Sequence, residues 1–440
     1  MCIRDRLGVL RNIRLALAPE CYRLKTRKLE ISVPQKNPEA YIQLLSKSFP
    51  DEVEGIRSFI NNMIGVADDA DKLSKNKGKF VKMMFPFQYR YMWNVRNKTL
   101  KEFLDDHVKN PELQHALAGL WGYYGLPPSK LSAFYYAIAT GEYLKHGSYY
   151  IKERSQNLSD SLAGAIEKGG GMILYGTEAK KILINNGAIQ GIEVSGGKTI
   201  PARIVVSNAN APDTFMRMLP VGSLPDDYVD KIKQYRASLS SFIVWLGLNK
   251  DVKDMIKNYS THVSIDDPEM EYQACLMGDI ERSGFTVTIY DNLFKGYSRP
   301  GCSTVSVMSL CGYEYWRRFE SDYKKGLKES YLKGKQRWTK ILIRKAEDYV
   351  IPGLSSMIDV VESATPLTNW FFTRNHEGAI YGYDESIDNS FMSRIDNRTP
   401  VKGLYLASAW GNPGGGYSGV LRSGYNTYSH IIEDLADFLK

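Results

Sequence analysis

The sequence lacks any apolar run approaching the ~18 residues that a membrane-crossing helix needs. Residues 239–248, LSSFIVWLGL, are among its most apolar. Cysteine is scarce: Cys2, Cys21, Cys275, Cys302 and Cys311 form no C-x-x-C pair. That spacing excludes a disulfide framework or zinc ribbon and fits free thiols in a reducing, cytoplasmic compartment. Six histidines are scattered without an H-E-x-x-H, so no metal site is expected. Lysine and arginine number 57 against 49 acidic residues, a net charge of +8. They form no arginine-rich tract or RNA-binding signature, which argues against nucleic acid as a partner. A G-x-S-x-G elbow, a P-loop and a Cys–His nucleophile pattern are also missing, as are internal repeats and flexible linkers.

What is present is the composition of a folded protein: 43% hydrophobic, 12% aromatic and 24% charged residues over 440 positions. That length suits two or three domains, or one two-lobed enzyme. Residues 22–34 alternate as one or two strands, and residues 38–64 read as helix interrupted at Phe49-Pro50. Residues 79–97, KFVKMMFPFQYRYMWNVRN, read either as a helix broken at Pro86 or as a membrane-facing segment. Further helices flank Leu126-Pro127-Pro128.

From Gly169 the pattern changes. Short β-type runs are split by Asn186-Gly187 and Gly196-Gly197, which predicts an antiparallel meander. RIVVSNA, residues 203–209, reads as a fully buried strand. Its polar end precedes a helix with Pro212 near the first position, and such strand ends are where α/β sheets bind ligands. SFIVWLGLN and STVSVMSL read as strands, and residues 323–349 as a charged helix.

The last stretch, GLYLASAWGNPGGGYSGVLRSG (residues 403–424), places a buried strand before a glycine turn and a periodic helix. Gly414, Gly416 and Gly419 spell G-x-G-x-x-G, but the ~20 residues remaining leave no room for the second strand of a dinucleotide-binding unit. A glycine turn lets a ligand approach the backbone, and the first N–H groups of the helix stay free to donate.

Residues 399–424 resemble the C-terminal flavin-binding signature of the phytoene desaturase family, which includes carotenoid isomerases and retinol saturases. ATPLTNWFFTRNHEGAIYG (364–382), GAIQGIEVSGGKTIPARIVVSNANAPDTF (187–215), RPGCSTVSVM (299–308) and FPDEVEGI (49–56) are similar to other parts of that family. The resemblance implies an α/β fold: an FAD-binding Rossmann-like domain, incomplete at its N-terminus, with an inserted α+β substrate lobe. Residues 1–6, MCIRDR, look like an extraneous adaptor remnant. Residues 7–150 and 221–350 would form the substrate lobe, and 151–220 and 351–440 the FAD domain.

The resemblance also implies FAD as cofactor, with NAD(P) or another electron carrier as redox partner. The substrate would be a hydrophobic, lipid-like polyene, reached through peripheral membrane contact. Ala179, Ser207, Asn208 and Ala209 would lie by the adenine–pyrophosphate half. Ala409, Trp410, Pro413, Gly414, Gly415, Gly416, Tyr417, Gly419 and Val420 would lie by the isoalloxazine and ribityl half. Structural roles are expected for Thr365, Thr368 and Tyr381, with the substrate side as the other reading. No catalytic base is identified. The match at Gly414 then resembles the family's second flavin contact, and the phosphate-binding fingerprint itself is missing. This implies an N-terminally truncated member. A second departure is YYIKERSQNL, where Glu153 and Arg154 replace a usual glycine pair. An amine-oxidase-like flavoenzyme and a lipid-binding fragment without activity stand as alternatives.

Overall fold

The computed structural model describes residues 7–75, 81–390 and 393–438. The MCIRDR segment lies outside them. Helices α1 (Pro38–Ser48) and α2 (Val53–Lys75) begin the helical layer. Asn37 starts α1 by accepting from Ala40 N, with Pro38 at the first position, where its missing N–H has no intrahelical use. Then come α3 (Val81–Gln88), α4 (Arg90–Val95), α5 (Leu100–Asp105), α6 (Pro111–Leu117) and α7 (Ala133–His146). The expected break at Pro86 falls instead at Tyr89, and Pro86 sits inside α3. The reason is tertiary: the buried Asp69 carboxylate of α2 receives Tyr91 N and Met92 N at 2.9 and 3.3 Å and starts the next helix there.

Strands β1 (Leu15–Leu17) and β4 (Tyr149–Ile151) pair antiparallel with each other. The largest sheet has seven strands in the order β13-β9-β12-β11-β10-β2-β3. These are β2 (Tyr22–Lys25), β3 (Glu30–Val33), β9 (Ser240–Leu248), β10 (Ser260–Val263), β11 (Phe285–Ile289), β12 (Ser303–Cys311) and β13 (Ile358–Ala364). Only β10 and β2 run parallel. Period-two patterning sends Phe242, Val244 and Leu246 of β9, with Val305 and Val307 of β12, into one core. Helix α11 (Glu329–Tyr349) covers it, and Trp316 stacks on Phe242 at 5.7 Å. Side chains of that size contribute about 1.5–3 kcal/mol each on burial. The register places Ile243, Met308, Thr286 and His262 in one row across the opposite face. Between β10 and β11 lies α10 (Pro268–Met277).

A smaller unit carries the meander β5 (Ala179–Asn185), β6 (Ala188–Val194) and β7 (Thr199–Pro201). Asn186 and Gly187 both take positive φ, +48° and +73°, as a tight hairpin requires. Beside the meander, β8 (Val205–Ser207) and β14 (Leu404–Leu406) pair in parallel. Helix α8 (Arg154–Lys168) precedes this unit, α9 (Asp226–Gln234) follows β8, α12 (Pro366–Thr373) follows β13, and α13 (Gly416–Phe438) follows β14.

Two sequence expectations change here. RIVVSNA is not fully buried, because β8 pairs only with β14 and leaves Val206 45% exposed. The expected boundary at 351 falls before a strand of the large sheet: β13 pairs antiparallel with β9, so residues 358–364 join residues 240–248 in the seven-stranded sheet. β2 and β3 extend the same sheet, and the helices from α1 to α7 pack on them in one continuous core.

Candidate functional site

The parallel register of β8 and β14 matches Leu406 with Ser207. Both strands therefore end together: Ala407 N closes the pair by donating to Ser207 O at 2.9 Å, and Thr427 of α13 donates its hydroxyl to Leu406 O. A crevice outside the carboxyl ends of parallel strands is where such sheets hold ligands. Ser207, Asn208 and Ala209 lie on one side of it, and Ala409 through Val420 on the other. Ser207 Oγ is paired with Thr214 Oγ1 at 2.7 Å, and Asn208 Nδ2 donates to Ala407 O. Ala179 opens β5 in the meander, which meets the approach to β14 at the Ala188–Lys402 bridge.

The glycine turn is held from beneath by a buried ion pair. Arg394 donates to Gly411 O at 2.7 Å, Ala409 O at 2.8 Å and Glu385 Oε2 at 2.8 Å. Tyr135 Oη donates to Pro413 O at 2.6 Å. Burial pushes the Glu385 carboxyl up to about 7, with the Arg394 guanidinium holding it from rising further. A Cβ on Gly414 would meet Glu385 Oε1 at 2.8 Å, and one on Gly415 would meet Tyr381 O at 2.8 Å. Gly416, at φ +76°, has nothing within 4 Å of that position.

This cradle leaves room for a cofactor such as FAD. The space above Gly416 is open, and the first N–H groups of α13 have no acceptor within their own helix. The helix starts at Gly416 rather than after Gly419, so the glycines form its first turn. Tyr417 is exposed and Gly415, Gly419, Val420 and Pro413 are half-buried. Trp410 turns away: its ring is 2% exposed and packs edge-on against Tyr383 at 4.8 Å, so only its backbone faces the crevice. Among the described residues no second strand–glycine turn–helix unit stands beside β8 and β14, and that sheet has two strands.

The second part of the site is a chamber behind the cradle. Tyr381 joins the two: its carbonyl lies beneath Gly415, and its hydroxyl donates to Gly122 O at 3.0 Å. Next to Gly122, Tyr123 keeps 41% of its surface accessible. Yet protein desolvates its hydroxyl and pushes its pKa well above the ordinary phenol value. Tyr143, Tyr259, Tyr290 and Tyr381 stand close enough to act on Tyr123 electrostatically. Thr365 and Thr368 do not join this chamber. They form the capping box of α12, and Tyr331 Oη lies 3.2 Å from each hydroxyl. Of the three residues with a substrate-side reading, only Tyr381 lies by the chamber.

At the rim, Arg154 adopts φ +68°, the left-handed region that favours glycine. Its guanidinium lies 4.8 Å over Tyr297, which stacks on Tyr290 at 4.8 Å, and Glu153 pairs with Arg14. Two contributions compete: backbone strain of about 1–2 kcal/mol and a cation–π contact of about 0.5–1 kcal/mol. Arg154→Gly removes both and should leave the urea midpoint nearly unchanged. Arg154→Ala keeps the strain, loses the contact and should be the less stable of the two. An alanine variant at least as stable as the glycine variant would refute the strain argument.

Sequence reasoning missed Arg394, Glu385, Tyr135, Tyr123 and His262. None sits in a recognisable motif, and only the fold brings them under the turn or against the chamber. The one available signal was the cost of burying charge, which requires knowing what is buried.

Comparison with known proteins places these features. The family model described as flavin-containing amine oxidoreductase matches residues 34–432. The chain is 24% identical over 328 residues to an all-trans-retinol 13,14-reductase of Danio rerio, covering 70% of this chain and 54% of that protein. It is 24% identical over 387 residues to a neurosporene-forming phytoene desaturase of Rhodobacter capsulatus, covering 85% of this chain and 71% of that one. The chain thus spans about half the length of the reductase. A solved putrescine oxidase with bound putrescine shares the fold, with a TM-score of 0.59 at 12% identity over 98% of this chain and 84% of that one.

Proposed function

The chain belongs to the flavin-containing amine oxidoreductase family, and from that premise we propose that it serves an FAD-dependent oxidoreductase acting on C–C or C=C bonds of a hydrophobic polyene or isoprenoid lipid. The observation that carries this reading is the direct junction, through Tyr381, of the glycine cradle with a tyrosine-walled chamber. The relatives' names, a retinol reductase and a phytoene desaturase, favour a polyene over the amine of the putrescine oxidase.

When bound, FAD supplies the hydride acceptor or donor. Gly415, Gly416 and the α13 N-terminus would hold its ring end, with Arg394 and Glu385 fixing the turn. Ser207, Asn208 and Ala209 would lie by its other end, with Ala179 as an outlying contact. Tyr381 and Tyr123 would orient the substrate and exclude water. The open edge of β8, with Val206 exposed, suits a further parallel strand whose glycine turn would complete the pyrophosphate contacts. NAD(P) or another carrier would exchange electrons with the flavin. No helix among the described residues is long and apolar enough to cross a membrane. Peripheral contact is supported by Phe87 of α3, which stands 79% exposed.

The test is visible absorbance after purification with added FAD, for this chain and for a form preceded by a strand–glycine turn–helix unit. Weak flavin retention by the chain and firm retention by the longer form are expected, with turnover of a polyene and none of an amine. Absence of flavin from both forms would overturn the reading.

A further inference from the structure

Beside the chamber, between the seven-stranded sheet and residues 115–123, lies a cavity of about 70 Å³, room for at least two waters at ~30 Å³ each. Tyr123, His262, Thr286, Glu271, Ser264 and His115 all line it. On its far side a groove of about 590 Å³ opens between α5, α6 and the start of α10. His115 and Ser264 line both spaces, so the hydrogen bond between them is the partition.

The partition is built from groups that can exchange a proton. Ser264 Oγ lies 2.8 Å from His115 Nε2, 3.0 Å from Glu271 Oε1 and 3.0 Å from Asp266 O. A hydroxyl has one proton for these three partners, so its donation can turn among them. Glu271 is 2% exposed and also receives Ile265 N and Asp266 N. Across the cavity, His262 has a hydroxyl at each ring nitrogen: Thr286 Oγ1 at 3.1 Å from Nδ1 and Tyr123 Oη at 3.4 Å from Nε2.

We propose that His115, Ser264, Glu271, water in the cavity, Thr286, His262 and Tyr123 form a proton conduit joining the outer groove to the tyrosine chamber. The proposal rests on the oxidoreductase reading. When bound, a reduced flavin would supply the hydride for one carbon of a C=C bond, and Tyr123 Oη would give the proton to the other. His262 Nε2–H then reprotonates Tyr123, while Nδ1 gains a proton from cavity water through Thr286. Glu271 gives a proton to that water and regains one from His115 through Ser264, so one proton is taken up from the groove for each proton delivered. In desaturation each transfer reverses.

Burial supports these roles. It pushes Glu271 up to about 8, so its carboxyl can carry a proton near neutrality, and holds His262 down to about 4, so its ring stays neutral and exchanges tautomers. Lys345 is the charged group facing Glu271, with Cys275 beside it; its ammonium is directed to the carbonyls of Ile280, Glu281 and Ser283. Asp266 and Asp267 face His115, and Tyr22 and Tyr123 pack edge-on against His262.

The test is exchange of the His262 ring N–H with solvent, followed by nitrogen-15 NMR on the histidine-labelled full chain without flavin. Glu271→Gln keeps an oxygen acceptor for Ile265 N but cannot pass a proton. Exchange should slow tenfold or more in that variant and in Ser264→Ala, and should recover in Ser264→Thr, which restores the hydroxyl. Unchanged exchange in both Glu271→Gln and Ser264→Ala would overturn the conduit, because protons would then enter through the chamber. If Ser264→Ala fails to fold, Glu271→Gln decides alone. Failure to bind flavin would defeat the oxidoreductase reading while leaving this result intact.

Discussion

Arg394→Met is expected to destabilise the protein by about 3–5 kcal/mol, the cost of leaving a buried partner charge uncompensated. The methionine keeps much of the side chain's volume, so the loss is electrostatic rather than a cavity. Arg394 is fully buried against Glu385, and its donors also hold the carbonyls of Ala409 and Gly411, which shape the glycine turn. The pH dependence follows from Glu385. Its folded pKa is about 7 against an ordinary 4.5, so between those values the folded state binds more protons than the unfolded one. Its contribution to stability is present in full below 4.5 and is lost as pH rises through 7. Without Arg394 the carboxyl should rise further, and the variant should be most stable in acid. Adding Glu385→Gln to Arg394→Met should recover a large part of the loss, since the two residues are in direct contact. Urea unfolding of the parent, the single variants and the double variant across pH measures all of this. A loss under about 1 kcal/mol, or a double variant no better than Arg394→Met, would show that the pair behaves as though solvent screened it.

The same pair shows where sequence reading stopped. Strands and helices were legible wherever local chemistry agreed with the fold: the Asn186-Gly187 hairpin, the alternation in β9 and β12, and the strand–glycine turn–helix at the end of the chain. Membership in a flavin family was legible because the glycine turn is contiguous in sequence. That residues 358–364 pair with β9 was not legible, because a strand's sequence states that it pairs, not with which neighbour. RIVVSNA looked fully buried because its apolar residues predict burial on both faces, but β8 has one partner strand. Thr365 and Thr368 take the structural role that their sequence also offered, since Thr-Pro-x-Thr is a helix start and that local use takes both hydroxyls. Glu271, His262 and Arg394 gave no signal, because their chemistry comes from burial among residues far along the chain.

Gly416→Ala and Gly415→Ala should separate the cradle's two functions. At Gly415 the added methyl meets the Tyr381 carbonyl at 2.8 Å and its Cα at 3.3 Å. Backbone on both sides cannot yield, so the turn must shift, and stability and flavin binding should fall together. At Gly416 the methyl meets nothing within 4 Å, and the only cost to the fold is a left-handed φ of +76°, about 1–2 kcal/mol. That open space is where the flavin ring end is proposed to lie. Gly416→Ala should therefore lower FAD affinity tenfold or more while changing stability by only that backbone strain. Flavin fluorescence titration beside urea unfolding reads the two effects separately, in the longer form if the chain alone releases the cofactor. If Gly416→Ala binds FAD as tightly as the parent, the ring does not lie over this turn. The open space would then belong to the substrate, and the same variant should discriminate among polyenes instead.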